Sequence, residues 1–286
     1  SSLIILDSAS YSESSGRYLY ASYCLLRTFA EYNAYKPGID EGMMNVGVDY
    51  FLKYGNRDRK AQAYYLRAVV REDNKSGNQA DWANDLLLAT KEVKGSGNHM
   101  LAAMINLRYA VVLNDRKWYD ASLPYLEKGL EEAEKAGSLA FQVTALINLS
   151  HRSLFLGDAD RDYSEAIEYA NRAAEISKGD DNDYARALYN LGACYSRNGQ
   201  FDKALECAST AVRAQERLFR EGKRKARVRY AVLADAFRKM NIPDSALFYA
   251  AKEMEASDLI AKLSGSQLSY IVYRDLLDDK ENAVKY

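Results

Sequence analysis

A run of regularly spaced aromatic and small residues at 188–211 constrains the fold of this chain more than any other feature. The segment reads LYNLGACYSRNGQFDKALECASTA. Positions 188, 191, 192 and 195 lie three or four apart, so they share one face of a helix. Gly199 ends that helix, because a residue without a side chain takes the left-handed cap conformation easily. Alanines at 204, 208 and 211 then form one face of a second helix, so the segment predicts a helical hairpin whose backbones approach closely at Gly192 and Ala204.

The same pattern recurs along the chain. Small residues equivalent to Ala204 occur at 122, 166 and 246, at spacings of 44, 38 and 42. Asn241 takes the place of Gly199 in one copy, and asparagine also tolerates the left-handed conformation. Two further hairpins are expected at 16–56 and 59–93. A hairpin of this kind cannot bury its apolar face alone, so the copies are predicted to stack on one another.

These residues resemble the tetratricopeptide repeat (TPR) at every diagnostic position except the terminal proline, although the spacing exceeds the TPR period of about 34. The resemblance implies an all-α, right-handed superhelical solenoid of about six hairpins with partial hairpins at both ends. We expect a single solenoid domain over residues 1–286. Because both ends stop within a repeat, we also expect the chain to be a fragment of a longer protein.

Composition and motifs argue against several functional classes. The 39 basic and 40 acidic side chains nearly cancel, whereas nucleic-acid binders usually show a basic excess. Three cysteines without a CxxC pair and two histidines leave little material for a metal site or a catalytic triad. No apolar run reaches the ~18 residues of a membrane span, and no phosphate-binding glycine motif or HExxH occurs. The sequence therefore predicts a non-catalytic module without cofactor, metal, direct nucleic-acid binding or a membrane span in this segment.

Two features have competing interpretations. The basic run at 213–229 is either a patch for phosphate or an acidic partner, or a solvated joint between hairpins. The joint is favoured, because the run holds one aromatic, Phe219, and no series of aromatics interleaved with the cations. The 23 tyrosines either line a groove for a peptide or sugar, or pack between hairpins. Packing is favoured, since most of them fall at framework positions of the repeat.

The family resemblance also implies where a ligand is held. In TPR proteins, ligands contact the concave surface at the second, fifth, ninth, twelfth and thirteenth positions of each repeat. The Lys and Asn pair of chaperone-binding members has no counterpart in any register that we can align. Carried onto this sequence, the concave-face candidates are Arg186, Tyr189, Arg197, Asp235, Arg238, Lys239 and His151.

These positions favour recognition of a protein or peptide of unknown identity, with Arg197, Arg238 and Lys239 forming a basic edge. The alternative is a small-molecule sensor, which requires an enclosed pocket. An enzyme is the least favoured class.

A narrower resemblance concerns phrases such as AYYLRAVV and PDSALFYAAK. These are similar to the Tyr-rich, long-period TPR proteins of Bacteroidetes-type bacteria. Many of those arrays are extracytoplasmic, and some continue into a membrane helix and a DNA-binding domain. The resemblance therefore implies the sensory part of a membrane-tethered transcriptional regulator, and otherwise a cytoplasmic protein.

Overall fold

Helices make up nearly all of the chain in our computed structural model, which describes residues 2–7, 12–160, 162–222, 228–256 and 258–286. No strand occurs in these residues. The helices are α1 Ser2–Asp7, α2 Arg17–Asn33, α3 Glu41–Tyr54, α4 Arg57–Asn74, α5 Gln79–Val93, α6 His99–Asp115, α7 Tyr119–Lys135, α8 Leu139–Asp160, α9 Ser164–Ile176, α10 Asp181–Arg197, α11 Phe201–Arg220, α12 Ala231–Lys239, α13 Pro243–Met254, α14 Leu259–Ile271 and α15 Lys280–Ala283. A 3₁₀ turn precedes α2, and a π-helical turn extends α14.

The ends of the helices follow from local sequence. Asp180 caps α10 by accepting hydrogen bonds from the backbone of Asn182 and Asp183. The predicted stop of α10 is confirmed, since Gly199 has a φ of 74° just beyond the end of the helix. Asn241 adopts the same left-handed conformation after α12, at a φ of 59°, which confirms that asparagine substitutes for glycine in this copy.

The helices pair in sequence as antiparallel hairpins. In the described residues these are α2–α3, α4–α5, α6–α7, α8–α9, α10–α11 and α12–α13. Helix α1 packs on α2 at one end, and α15 packs on α14 at the other. The predicted all-α helical-repeat solenoid, with six hairpins and partial ones at both ends, is therefore confirmed.

Small side chains let paired helices approach closely. A side chain added at Gly192 would come within 3.2 Å of the Ala204 carbonyl and 3.3 Å of the Ala208 amide. Ala204, Ala208 and the corresponding alanines of α9 and α13 are fully buried; those alanines are Ala166, Ala170, Ala173, Ala246 and Ala250. The residues that form the sequence pattern therefore pack the helices against one another.

The chain divides into two compact units, Ser1–Phe141 and Gln142–Tyr286. The core of the first unit runs through α2 to α6 and is rich in aliphatic and aromatic side chains, with Phe51 and Leu66 nearly inaccessible. In the second unit, one cluster joins α11 to α12 through Val212, Val232 and Leu233. No helix among the described residues combines the length and the low charge needed to cross a lipid bilayer.

Candidate functional site

The predicted site residues lie on the first helices of the hairpins in the second unit. Helix α10 contacts α12, and α12 contacts α14, so the first helices form one layer. We use "first-helix face" for the surface of α8, α10 and α12 that carries the predicted residues. These residues are His151, Arg186, Tyr189, Arg197, Asp235, Arg238 and Lys239.

Asp235, Arg238 and Lys239 come together in one charged network. The Asp235 carboxylate accepts hydrogen bonds from Arg238 Nη2 at 2.6 Å and Ser196 Oγ at 2.7 Å, and Lys239 Nζ lies 3.0 Å away. Partial burial tends to raise the pKa of Asp235, but Lys239, Arg238 and Ser196 outweigh it and hold the pKa below its ordinary value. The carboxylate is therefore ionised at neutral pH and compensates part of the predicted basic edge.

Lys239 also links two first helices. Its Nζ donates to the carbonyl and the hydroxyl of Ser196, both at 3.1 Å. Arg197, the next residue, is exposed at the end of α10. Because Lys239 of α12 bonds to Ser196 of α10, this network also holds the two helices together.

Arg186 is hydrogen-bonded on the side of α10 that faces α8. Its guanidinium donates to Asp183 Oδ1 at 2.7 Å and to Thr144 Oγ1 of α8 at 3.2 Å. Arg186 is part-buried and bridges α8 and α10. The structure thus shows one contact of this cation with a carboxylate of its own helix and one with the neighbouring first helix.

A residue that sequence reasoning did not select, Arg229, contacts Tyr189 and lies near enough to His151 to act on its charge. The guanidinium of Arg229, just before α12, lies 4.0 Å from the centre of the Tyr189 ring, within the range of a cation–π contact. His151 of α8 is exposed, yet protein packs densely around it. This environment lowers the pKa of His151 to about 4; Arg229 adds repulsion, and Asn190 acts in the opposite direction. At neutral pH the imidazole is uncharged.

A buried polar group supports this cluster from below. Ser150 Oγ donates to the Ala166 carbonyl at 2.8 Å and accepts from Asn190 Nδ2 at 2.7 Å. Cys194 Sγ lies 3.3 Å from the same hydroxyl, and burial raises the pKa of this thiol to about 11. The thiol is protonated at neutral pH, which is unsuited to nucleophilic chemistry.

Arg229 was missed because it falls in the basic run at 213–229, which was interpreted as a solvated joint. Part of that run, 223–227, lies outside the described residues. Of the rest, Arg217 pairs with Asp181, whereas Arg229 turns back onto the first-helix face. Its position immediately before α12 was the available signal, since the residues entering a first helix lie beside the preceding first helix.

Among the residues that the structure describes, no group of three or more His, Cys, Asp or Glu side chains is arranged to hold a metal ion. The first-helix face instead offers cations, one aromatic ring and amide and hydroxyl donors. This set of groups can contact a binding partner through charge and shape.

Comparison with known proteins agrees with the helical architecture. Residues 151–217 and 183–257 match the sequence model of the tetratricopeptide repeat. A search of curated proteins finds no match. The matched residues, 151–257, correspond to α8 to α13, and helical hairpins also precede them in the chain.

Two solved structures have a similar fold. The apo form of RapI aligns with a TM-score of 0.64 at 15% identity, covering 94% of this chain and 72% of RapI. A Rap protein complexed with Competence and Sporulation Factor aligns with a TM-score of 0.55 at 18% identity, covering 93% of this chain and 76% of the Rap protein. At these identities the likeness concerns the fold.

Proposed function

We propose that the chain is a non-catalytic binding and scaffold module that recognises an acidic segment of a protein or peptide partner on the first-helix face. The observation that carries the proposal is the convergence of His151, Tyr189 and Arg229 from three successive hairpins. A helical-repeat stack presents such residues on a continuous surface, and affinity comes from many contacts along it. A Rap protein of similar fold has been captured in complex with a separate factor, which supports a binding role.

Charge favours an acidic partner. Among the side chains that the structure describes, cations on and beside this face outnumber its carboxylates, Asp183 and Asp235, which contact Arg186, Arg238 and Lys239. Arg197 and Arg229 add positive charge next to these pairs. Arg229 also presents a guanidinium fixed over an aromatic ring, and a guanidinium binds a carboxylate through two parallel hydrogen bonds.

Binding of labelled peptides tests the proposal. The probes are a fluorescent peptide of alternating Glu and Ala, its Gln analogue and its Lys analogue. We expect the Glu peptide to bind best, and the double variant Arg197→Glu, Arg229→Glu to weaken that binding by about tenfold or more, because attraction becomes repulsion. Helicity by circular dichroism should be unchanged.

Arg213→Glu is the matched control, because Arg213 is an exposed cation on the second helix α11 and hydrogen-bonds to Thr210 of the same helix. Its binding curve should coincide with that of the wild type. Equal binding of the Glu and Lys peptides, or no effect of the double variant, would reject the first-helix face as an acidic-segment site.

We further propose that the array is the extracytoplasmic sensory part of a membrane-tethered transcriptional regulator. The support is the resemblance of its Tyr-rich, long-period repeats to those of Bacteroidetes-type TPR proteins. In this arrangement, partner binding on the repeats would be relayed to the DNA-binding part. A complete gene product without a membrane helix would contradict this proposal and leave the peptide-binding proposal intact.

A further inference from the structure

The first unit contains a cavity that the first-helix face does not use. It has a volume of about 870 Å³ and lies between the end of α5, the loop 94–98, the start of α6 and the helix α7. This volume falls within the range of small-molecule sites, about 300–1,000 Å³. All of its lining residues lie within 87–135.

The base of the cavity is apolar and carries one aromatic ring. Leu87, Val93 and Ala102 contribute aliphatic surface beside the ring of Tyr125, and the exposed Pro124 adds to the wall. Tyr109 packs edge-on against Tyr125 with ring centroids 4.7 Å apart, which fixes the orientation of that ring. A ligand with a flat apolar body would therefore meet a preformed surface.

The rim of the cavity is cationic. The lysines that line it are Lys91, Lys94, Lys128 and Lys135. Among the described lining residues, Glu132 is the one carboxylate, and it is 7% exposed. It accepts a hydrogen bond from His99 Nδ1 at 2.6 Å and pairs with Lys128 at 3.0 Å, so its charge is already compensated.

Lys128 and Lys135 are further engaged by Glu131. Lys91 and Lys94, in contrast, form no ion pair within the part of the chain that the structure describes. These two cations therefore supply positive charge that no ion pair among the described residues compensates. An anion entering the cavity would reduce their mutual repulsion.

The polar wall is also held in place. Asn98 caps α6, because its side-chain Oδ1 accepts a hydrogen bond from the backbone N–H of Leu101, and the backbone N–H of Asn98 donates to Ser96 Oγ at 3.1 Å. Asn106, 6% exposed, donates to the Ala102 carbonyl and lines the cavity. The positive end of the α6 dipole faces the same region as the lysines, which adds to the preference for negative charge.

We propose that this cavity binds a small organic anion, with an aromatic or other flat apolar body against Tyr125 and a carboxylate or phosphate at Lys91 and Lys94. The charge of the rim excludes a cationic ligand, and the apolar base distinguishes the site from one for an inorganic ion. The inference is independent of the proposed function, because the first-helix face lies entirely within Gln142–Tyr286.

Titration of the whole chain with matched probes tests this assignment. The probes are 2-naphthoate and 2-naphthyl phosphate, with 2-naphthamide as the neutral analogue, followed by ligand-observed NMR and calorimetry. We expect both anions to bind with a Kd of about 1 mM or tighter, the affinity usual for ligands of this size. The neutral analogue should bind at least about tenfold more weakly, and added salt should weaken the anions.

The double variant Lys91→Glu, Lys94→Glu should lower the affinity for both anions by about tenfold or more. Lys53→Glu, an exposed cation at the end of α3, is the control and should bind as the wild type does. Equal binding of the anions and 2-naphthamide, retained affinity in the double variant, or no binding of either anion at several times 1 mM would overturn the proposal. A difference between naphthoate and naphthyl phosphate would identify the preferred acidic group.

Discussion

At the scale of single residues, His151 and Arg229 determine the character of the candidate site. His151 is exposed, but the surrounding protein removes part of its hydration, and the guanidinium of Arg229 lies nearby. Both the lost hydration and the like charge lower the pKa of His151 and favour the neutral ring. Arg229 itself lies over the face of Tyr189. The site therefore presents one strong cation, one neutral imidazole and one phenol at neutral pH, an arrangement that discriminates by charge.

The protonation of His151 can be measured directly. NMR titration of the His99→Gln protein, which leaves His151 as its one imidazole, should give a pKa near the value of about 4. In the unfolded chain this imidazole has its ordinary pKa of 6.5. Between pH 6.5 and about pH 4, the unfolded chain therefore binds more protons than the folded chain. The contribution of His151 to stability should therefore be full above about 6.5 and decline as the pH falls toward 4.

Replacing Arg229 by Met provides the comparison, because it removes the like charge and keeps most of the apolar stem. The pKa of His151 should then rise toward its ordinary value. Titration of His151 at the same pH in both proteins would mean that Arg229 does not act on it.

At the scale of elements, close helix contacts decide which positions tolerate a side chain. Gly192 lies against the backbone of α11 and against Val232 of α12, so it serves contacts within and between hairpins. Gly265 in α14 is tighter, since an added Cβ would lie 2.5 Å from the Ala250 carbonyl. These glycines explain why a second helix can pack so closely along a stripe of alanines.

Gly192→Leu should destabilise the protein by about 2 kcal/mol, because overpacking a closely fitted contact exceeds the gain in helix propensity. Gly179 is the matched control: it is exposed, has no positive φ and has open space around it, so Gly179→Leu should change stability by about 0.5 kcal/mol or less. Denaturant unfolding followed by circular dichroism measures both effects, and equal tolerance at the two sites would contradict the packing described for α10.

At the scale of the whole molecule, the prediction of a single domain over 1–286 can be tested through its cooperativity. The chain forms two compact units, whereas a continuous repeat array transmits stability between neighbouring hairpins. Both tryptophans, Trp82 and Trp118, lie in Ser1–Phe141. Trp82 is partly buried and donates to the Ser76 carbonyl at 2.8 Å, so its fluorescence reports on the first unit.

Gly192→Leu lies in the other unit and therefore separates the two outcomes. In a single cooperative array, the variant should lower the denaturant midpoint measured by tryptophan fluorescence together with that measured by circular dichroism. An unchanged fluorescence midpoint with a biphasic circular dichroism curve would show that the units unfold separately, and the single-domain prediction would be wrong.

Most of the fold was predictable because its determinants are local. The left-handed caps at Gly199 and Asn241 and the buried alanines of each second helix were recognisable from residues within the same hairpin. Asp180 caps α10, although Asp181 and Asp183 in the first turn of the helix are of the same residue type. Such a boundary depends on which of several equivalent side chains reaches the free amides, which spacing alone does not distinguish.

The candidate site was predictable only as a set of positions. Tyr189 and His151 follow from the register of the repeat, but their grouping with Arg229 depends on how the segment before α12 returns to α10. The pairing of Lys239 with Ser196 and Asp235 likewise joins residues from different hairpins. Charges listed along a sequence cannot show which of them neutralise one another.

The sequence by itself determined that this chain forms helical hairpins and where several of their helices end, because periodicity and caps act within a few residues. The tertiary structure decided which side chains meet: Arg229 over Tyr189, Asp235 between two cations, and four lysines around a cavity with an apolar base. These groupings join residues of different helices, and their energies depend on distance and burial. Both quantities exist only once the hairpins have packed.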